Sequence, residues 1–516
     1  MMHWARALFG LSLALPVVAS AQDTAQAARP AATVHLTLED ALEQARRNSP
    51  GYRQSLNDAG PARWGVRNAY ASLVPSVEVS TSLGYTGSGQ STFGGSFFNQ
   101  SSPSLTSGYS LSFAYTLSGS TLTAPSQQRA AQRAVEEDIT NAGEVLRNEI
   151  TIQYLATLQA AAQSDVARQQ VLRNTDFLEL ARARHQVGQA TLLDVRQAEV
   201  QKGQSDVALL RAVQTENEAK LELFRRMGVT PPVGPAEIAL TDSFPVSEPR
   251  WERTELIALA ADRNPSLRAL KARERSAVWS LRSARSRFLP TLSFNASISG
   301  FTQEFTNENV LLANRLNSAL ATQENCQFQN ALIGELPSGG VPGYPNGGIL
   351  DCIAVSGLDP TGTQLSDASR SQLLNSNNVF PFDYTKQPFR ATVQISLPLF
   401  DNFSRNLQVS QAQVQREDLA ESVRARGLAV ETEVHSRYLG VQTAYQAIQV
   451  QQLSREAARE QLRLAQDRYR LGTGSSLEVS DAQNAVQRAE GDYVNAVYEY
   501  HRAIAQLEFA VGRPLR

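Results

Sequence analysis

The sequence predicts an α+β membrane protein: a β-barrel built from several copies of the chain, four strands from each, continued by a tunnel of long coiled-coil helices. Three observations carry this. The chain is an internal duplication. Four stretches alternate apolar with small polar residues at the length of a membrane-spanning strand. The remainder is helix too long, and too narrowly apolar, to fold back into a globule.

The duplication is clearest at two hairpin tips. Residues 465–482 read Ala-Gln-Asp-Arg-Tyr-Arg-Leu-Gly-Thr-Gly-Ser-Ser-Leu-Glu-Val-Ser-Asp-Ala, and residues 181–198 repeat the pattern. Arg184 matches Arg468, Gly188 matches Gly472, Leu193 matches Leu477, Val195 matches Val479 and Ala198 matches Ala482, every pair 284 positions apart. Asp194 stands where Glu478 stands. Apolar residues recur in steps of three and four on both sides of the second tip, from Val430 to Ile448 and from Val479 to Leu507, the spacing of a coiled-coil seam. Gly472 and Gly474 break the helix, and Ser475 or Ser476 caps the next. A repeat of this size is settled before the fold is assigned.

Met1 to Ala21 reads as a secretory signal peptide, with His3 and Arg6 ahead of an apolar core and Ala19-Ser20-Ala21 at the cleavage site; the competing reading is a short core helix. Residues 22–35 are expected to be a flexible lead-in. Net charge is −2 and charged residues make up 19% of the chain, so no electrostatic case exists for nucleic acid. No stretch offers about 20 consecutive apolar residues, so no helical membrane span is expected.

The first repeat is assigned to 36–228. Leu36 to Asn48 is an amphipathic helix, capped at Thr37 and barred from smooth continuation by Pro50. Tyr52 to Leu73 is a second helix, less regular at Gly60-Pro61. Val74-Pro75 ends it and the period changes to two. Strands are expected at 76–86 and 109–118, with Val77, Val79, Leu83 and Tyr85 on one face of the first and Tyr109, Leu111, Phe113, Tyr115 and Leu117 on one face of the second. One such hairpin alone would equally fit a soluble sheet. Pro125 to Gln186 is one helical arm, roughly 90 Å long at 1.5 Å per residue. A tip at 186–193 and a return helix from Leu192 to Arg226 complete the unit.

A linker, 229–252, leads to the second repeat, 253–516. The spacing from Pro265 to Pro290 equals that from Pro50 to Pro75. Strands are expected at 291–301 and 390–399 and a tip at 470–478. Between these strands lies a much longer insert, 302–387, rich in Asn, Gly, Ser and Pro and expected to be an extracellular loop. It holds both cysteines, Cys326 and Cys352. In an exported chain these are expected to form a disulfide, the alternative being two free thiols.

Four strands cannot close a barrel, and an open edge in lipid leaves backbone groups unsatisfied at several kcal/mol each. Closure therefore requires several chains: three give twelve strands, two give eight. Small seam residues at Ala482, Ala489, Ala496 and Ala503 permit close helix packing.

The duplicated order of helices, strands and tip, the Pro-initiated helix after Ser49 and Asn264, the Leu-Pro-x-Leu strand entry near Pro290, and the tip from Tyr469 through Gly472-Thr473, Glu478-Val479 and Ala482 resemble the TolC-type outer-membrane efflux proteins. The resemblance spans about residues 35–516. It implies a homotrimeric twelve-stranded barrel in the outer membrane, with a helical tunnel in the periplasm and the 229–252 linker in its equatorial region. It further implies an exit duct for tripartite pumps or type I secretion systems. The partners would be a periplasmic adaptor and an inner-membrane transporter of RND, ABC or MFS type, besides outer-membrane lipid.

The resemblance also implies site residues. Glu478 and Asp481 match the acidic pore constriction, where a ring of carboxylates from three chains would repel anions and attract cations; otherwise both simply cap or solvate a helix start. Tyr469 and Asp194 match positions of a latch that closes the tip. The latch arginine of the family falls at Gly474, a departure for which Arg468 or Arg470 is the expected substitute. Val187, Gly188, Gln189, Ala190 and Thr191 in the first tip, and Leu471, Gly472, Thr473, Gly474 and Ser475 in the second, match the adaptor's docking surface; the plain alternative is a turn. None of the five histidines lies in a nucleophile or metal-ligand motif. No enzyme, cofactor or metal is expected. The competing function is a structural or adhesive coiled-coil protein of the cell surface, which would need no lumen.

Overall fold

The computed structural model describes residues 34–93, 96–336, 340–341 and 343–515. The predicted signal peptide and residues 22–33 lie outside the described residues. Two compact units share the chain. One comprises Met1–Asn57, Asp138–Arg268 and Arg426–Arg516; the other comprises Asp58–Glu137 and Ala269–Ala425.

The elements follow the duplication. The first copy runs β1 (Val34–Leu36), α1 (Leu38–Asn48), α2 (Pro50–Asn57), α3 (Ala59–Ala71), β2 (Ser76–Thr86), β3 (Gly89–Phe93), β4 (Ser96–Ser101), β5 (Ser104–Leu117), α4 (Gly119–Gln186) and α5 (Leu192–Met227). A short β6 (Ile238–Leu240) follows in the linker. The second copy runs α6 (Arg253–Arg263), α7 (Pro265–Ser286), β7 (Thr291–Phe305), α8 (Glu308–Gly334), α9 (Cys352–Ser356), α10 (Asp367–Asn377), β8 (Thr385–Lys386), β9 (Arg390–Ser396), α11 (Ser404–Arg470) and α12 (Ser476–Val511).

In the second unit, β2, β5, β7 and β9 form one antiparallel sheet in that order, with β8 beside the far end of β7. Register makes the sheet amphipathic. Val77 lies opposite Phe113, Val79 opposite Leu111, Leu111 opposite Ile298, Tyr115 opposite Phe294, and Phe294 opposite Val393. Ser110 lies opposite Ser299 and Ser112 opposite Ser297. Because side chains alternate with period two, these pairings put most apolar residues of the four strands on one face and the small polar residues on the other, with Phe301 and Phe305, opposite Gly108 and Ser104, on the polar side. The apolar face is bare on the outer strands, where Val79 is 76% exposed and Ile395 73%. Among the described residues, β2 and β9 have no further strand on their outer edges.

Strand β9 stops at Ser396, short of the expected 399, because Pro398 has no N–H to donate to the ladder. Strands β5 and β7 are longer than expected. The insert 302–387 carries helices. Residues 308–333 contain neither Pro nor Gly, and the Asn307 side chain accepts from Asn309 N at the start of α8. A disulfide joins Cys326 on α8 to Cys352 on α9.

In the first unit the two copies use the same core positions. Ala45 and Ala260 are fully buried, 215 residues apart. Ile150 and Val434, Leu223 and Leu507, and Met227 and Val511 are equally buried at the 284-residue offset. The difference between the two offsets is the extra length inserted between the strands of the second copy. Gly228 and Gly512 end α5 and α12 with φ of +76° and +82°. A Cβ on either would fall 2.6 Å from the Asn48 carbonyl or 2.4 Å from that of Arg263, so each seals its long helix against the end of the copy's short helix. The lead-in residues Val34 and His35, expected to be flexible, are ordered: β1 pairs in parallel with β6, and Tyr154 Oη donates to the Leu36 carbonyl at 2.9 Å.

Candidate gate at the hairpin tips

Both tips lie in the first unit and share one apolar cluster, which includes Phe177, Ala181, Val195, Ala198, Leu462, Tyr469, Val479 and Ala482. Each turn closes the same way. Gly188 and Gly472 take φ of +78° and +80°. Gly188 N donates to His185 O and Gln189 N to Arg184 O; Gly472 N donates to Tyr469 O and Thr473 N to Arg468 O. This satisfies carbonyls that the helix end would otherwise leave unpaired. The next helix is capped in both tips. Thr191 and Asp194 form a reciprocal capping box, and the Ser475 hydroxyl accepts from Glu478 N at 3.2 Å.

The copies diverge in what their side chains do beyond the cap. Asp194 accepts from Thr191 N at 2.8 Å and Thr191 Oγ1 at 2.7 Å, and its other oxygen accepts from the Ser476 hydroxyl of the second tip. Burial pushes the Asp194 carboxyl up, but the hydrogen bonds from Ser476 and Thr191 outweigh it and hold the pKa below the ordinary aspartate value. Arg184 crosses in the opposite direction. Its guanidinium lies 4.6 Å from the centroid of the Tyr469 ring, one Nη donates to the Tyr469 carbonyl, and the other reaches Gln189 O at 3.3 Å. Tyr469 is buried against Phe177, ring centroids 5.4 Å apart, and its hydroxyl has no hydrogen-bond partner among the described residues. Burial, then the charge of Asp194, raises the Tyr469 pKa, with Arg184 opposing.

The expected latch pair, Tyr469 and Asp194, therefore meets at one junction between the tips. The arginine there is Arg184, not Arg468 or Arg470. Arg468 instead pairs with Glu478 at 2.6 Å within its own hairpin, and Arg470 faces Asp467 at 4.0 Å. Gly474 leaves little space for a side chain: a Cβ would lie 3.1 Å from Arg468 Cβ and from Tyr469 N. Sequence reasoning missed Arg184 and Ser476. The signal for Arg184 was present in its match to Arg468; nothing in the sequence set Ser476 against Asp194. Of the two expected pore acids, Glu478 is held by Arg468 and Asp481 is exposed. Val187, Leu471 and Leu477 are also exposed, at 69%, 80% and 61%, at the rim of the tips.

Among the described residues no group of His, Cys, Asp or Glu is placed to hold a metal ion, and no helix is long and apolar enough to cross a membrane. Polar contacts continue up the seam between the hairpins, where the half-buried Glu490 meets both Arg173 at 3.2 Å and the exposed Arg459 at 3.0 Å.

The sequence pattern of the outer membrane efflux proteins matches residues 41–229 and 360–513. The chain belongs to the outer membrane efflux protein family. Solved structures in this fold are similar along nearly their whole length. The outer membrane protein VceC of Vibrio cholerae is 16% identical, with 93% of this chain and 97% of that one covered and a TM-score of 0.63. The CmeC outer membrane channel of Campylobacter jejuni is 14% identical, covering 92% and 85%, with a TM-score of 0.65. The open state of the MtrE outer membrane channel of Neisseria gonorrhoeae is 16% identical, covering 93% and 89%, with a TM-score of 0.62. No curated protein matches the sequence. The helical insert between β7 and β8 of this efflux-family chain falls largely outside the matched pattern, which resumes at residue 360.

Proposed function

We propose that the chain is the outer-membrane exit duct of a tripartite efflux pump or a type I secretion system. It acts as a homotrimer and passes substrate passively from an inner-membrane transporter and a periplasmic adaptor to the outside. The observation that carries this reading is the sheet: four strands with one continuous apolar face, one small polar face and two open edges. Three such sheets joined edge to edge satisfy every edge group, turn the apolar face to lipid and enclose a polar lumen. Membership of the efflux protein family supports the same reading. The tips are then the gate. Asp481 and the Arg468-paired Glu478 form the constriction, Tyr469, Asp194 and Arg184 hold the hairpins together, and the exposed turns at 187–191 and 471–475 receive the adaptor.

The test is single-channel conductance of the purified protein in planar bilayers, wild type against Glu478→Ala/Asp481→Ala. A small cation-selective conductance is expected, less cation-selective in the double variant. Asp481→Ala alone should account for most of the change, because Arg468 already neutralises Glu478. Absence of conductance from folded, inserted protein would overturn the duct. Deletion strains then separate the two systems: drug sensitivity points to a pump, loss of a secreted protein to type I secretion.

A further inference from the structure

Where the helices of the second unit meet its strands, both copies carry the same four-residue motif. Trp64-x-x-Arg67 on α3 and Trp279-x-x-Arg282 on α7 are 215 residues apart, and each tryptophan lies 11 residues before the proline, Pro75 or Pro290, that precedes a strand. In each the arginine folds back over its tryptophan, the guanidinium carbon 4.8 Å from the Trp64 ring centroid and 4.6 Å from that of Trp279. Two more stacks lie nearer the strands: Arg129 over Tyr70 at 5.0 Å, one residue from the end of α3, and Arg405, which also pairs with Asp401, over Phe288 at 4.8 Å, just past the end of α7. The strand feet themselves are exposed and apolar, with Val74 65%, Leu399 88% and Phe400 70% exposed. Along α7 and the strand entry cations outnumber acids: from Ala269 to Pro290 there are six, Lys271, Arg273, Arg275, Arg282, Arg285 and Arg287, against Glu274, while Glu136 and Glu137 of α4 line the same cavity as Arg275, Trp279 and Arg282.

We propose that this arginine–tryptophan collar binds the phosphate groups of anionic phospholipids in the leaflet that surrounds the periplasmic rim of the barrel. The proposal rests on reading the four strands as membrane-spanning. At about 1.5 Å per residue, Arg67 and Arg282 lie roughly 6 Å below the last residue of their helices, and Trp64 and Trp279 roughly 10 Å below. A headgroup layer is about 5–8 Å deep on each side of the hydrocarbon. With the ends of α3 and α7 taken as the edge of the hydrocarbon, the arginines lie within that layer and the indoles at its aqueous rim. A guanidinium held over a ring can still donate from its N–H edge, and that edge matches two phosphate oxygens at once. Indole rings favour this boundary. An excess of fixed positive charge there favours an anionic lipid over a zwitterionic one.

Tryptophan fluorescence tests this directly. The sequence holds Trp4, Trp64, Trp251 and Trp279, and Trp4 lies in the predicted signal peptide. In mature Trp251→Phe protein, the two collar indoles are the only reporters. The protein is placed in bilayers containing phosphatidylglycerol or phosphatidylcholine, each spin-labelled at the headgroup. We expect labelled phosphatidylglycerol to quench at least twice as strongly as labelled phosphatidylcholine. The excess should be lost at high salt and in Arg67→Gln/Arg282→Gln/Arg285→Gln/Arg287→Gln. Equal quenching by the two lipids would overturn phosphate recognition. Quenching by aqueous iodide but by neither lipid would place the collar on water, and quenching by none of the three would place it between protein surfaces; either result removes the lipid site. Insertion is read separately from Val79→Trp in a background lacking Trp64, Trp251 and Trp279, using lipid brominated on the acyl chain. Failure of that control would count against the membrane-spanning strands rather than against the collar.

Discussion

If Arg184 and Ser476 hold the two hairpins together, removing them should loosen the tip by a calculable amount. Ser476→Ala deletes one hydroxyl-to-carboxylate hydrogen bond. Bonds to charged groups contribute about 1.5–3 kcal/mol, and the half-exposed setting of Asp194 argues for the low end, about 1.5. Arg184→Ala deletes a cation–π stack of about 1 kcal/mol and a charged hydrogen bond to the Tyr469 carbonyl of about 1.5. Its loss leaves the buried Tyr469 ring in place, so the apolar cluster should survive. Both groups share the field of Asp194, so the double variant should fall somewhat short of the sum, about 4 kcal/mol. At 1.4 kcal/mol per factor of ten, tip opening should become about tenfold easier in Ser476→Ala and up to about 10³-fold easier in the double variant. Hydrogen exchange of the peptide spanning 465–482 reads this, with Gly472 and Thr473 amides as reporters and the β-sheet peptides as the unchanged control. Conductance measured in parallel should rise in the same order. Wild-type exchange and wild-type conductance in the double variant would refute the argument, because contacts within one chain would then contribute nothing to the closed tip.

The same junction should respond to acid. The folded-state pKa of Asp194 lies below the ordinary value of 3.8, so its stabilising effect is complete above that value and is lost as pH falls through the lower, folded one. Tip exchange, corrected for intrinsic rates, should be flat from neutrality to about pH 4 and rise below it; Asp194→Asn should flatten the acid limb, and an acid limb that persists in that variant would assign it to another group. At the far end of α12, Gly512→Ala forces a left-handed residue to carry a Cβ 2.4 Å from the Arg263 carbonyl oxygen. The left-handed conformation alone costs about 1–2 kcal/mol, and the collision adds to it. Thermal unfolding should therefore drop by several degrees relative to Gly234→Ala, where a Cβ meets nothing within 4 Å. Equal melting of the two variants would mean that the helix end relaxes freely.

What the sequence could reveal follows from which forces act locally. Strand faces, tip glycines and helix caps depend on residues within a few positions of one another, so β2 starts and ends where alternation places it and Gly188 and Gly472 sit at left-handed turns. The helices of the insert were not legible because composition averaged over 302–387 hides a 27-residue stretch whose helix-forming residues are uninterrupted until Gly334. The candidate gate was half legible for a different reason. Arg184 and Arg468 occupy one repeat position, and sequence alone treats them as one residue used twice. Their partners differ by a methylene. Asp194 is short enough to fold back onto its own cap, leaving Arg184 to cross to Tyr469, whereas Glu478 reaches Arg468 and keeps it at home. The residue opposite Tyr469 in the repeat is His185, whose Nδ1 lies 3.0 Å from the Ala190 carbonyl in its own turn. The two tips thus cross by different means, the first sending Arg184 to Tyr469 and the second sending Ser476 to Asp194. An asymmetric contact of this kind is what a gate requires if one hairpin is to move against the other, and Asp194→Glu would test whether that single methylene sets it.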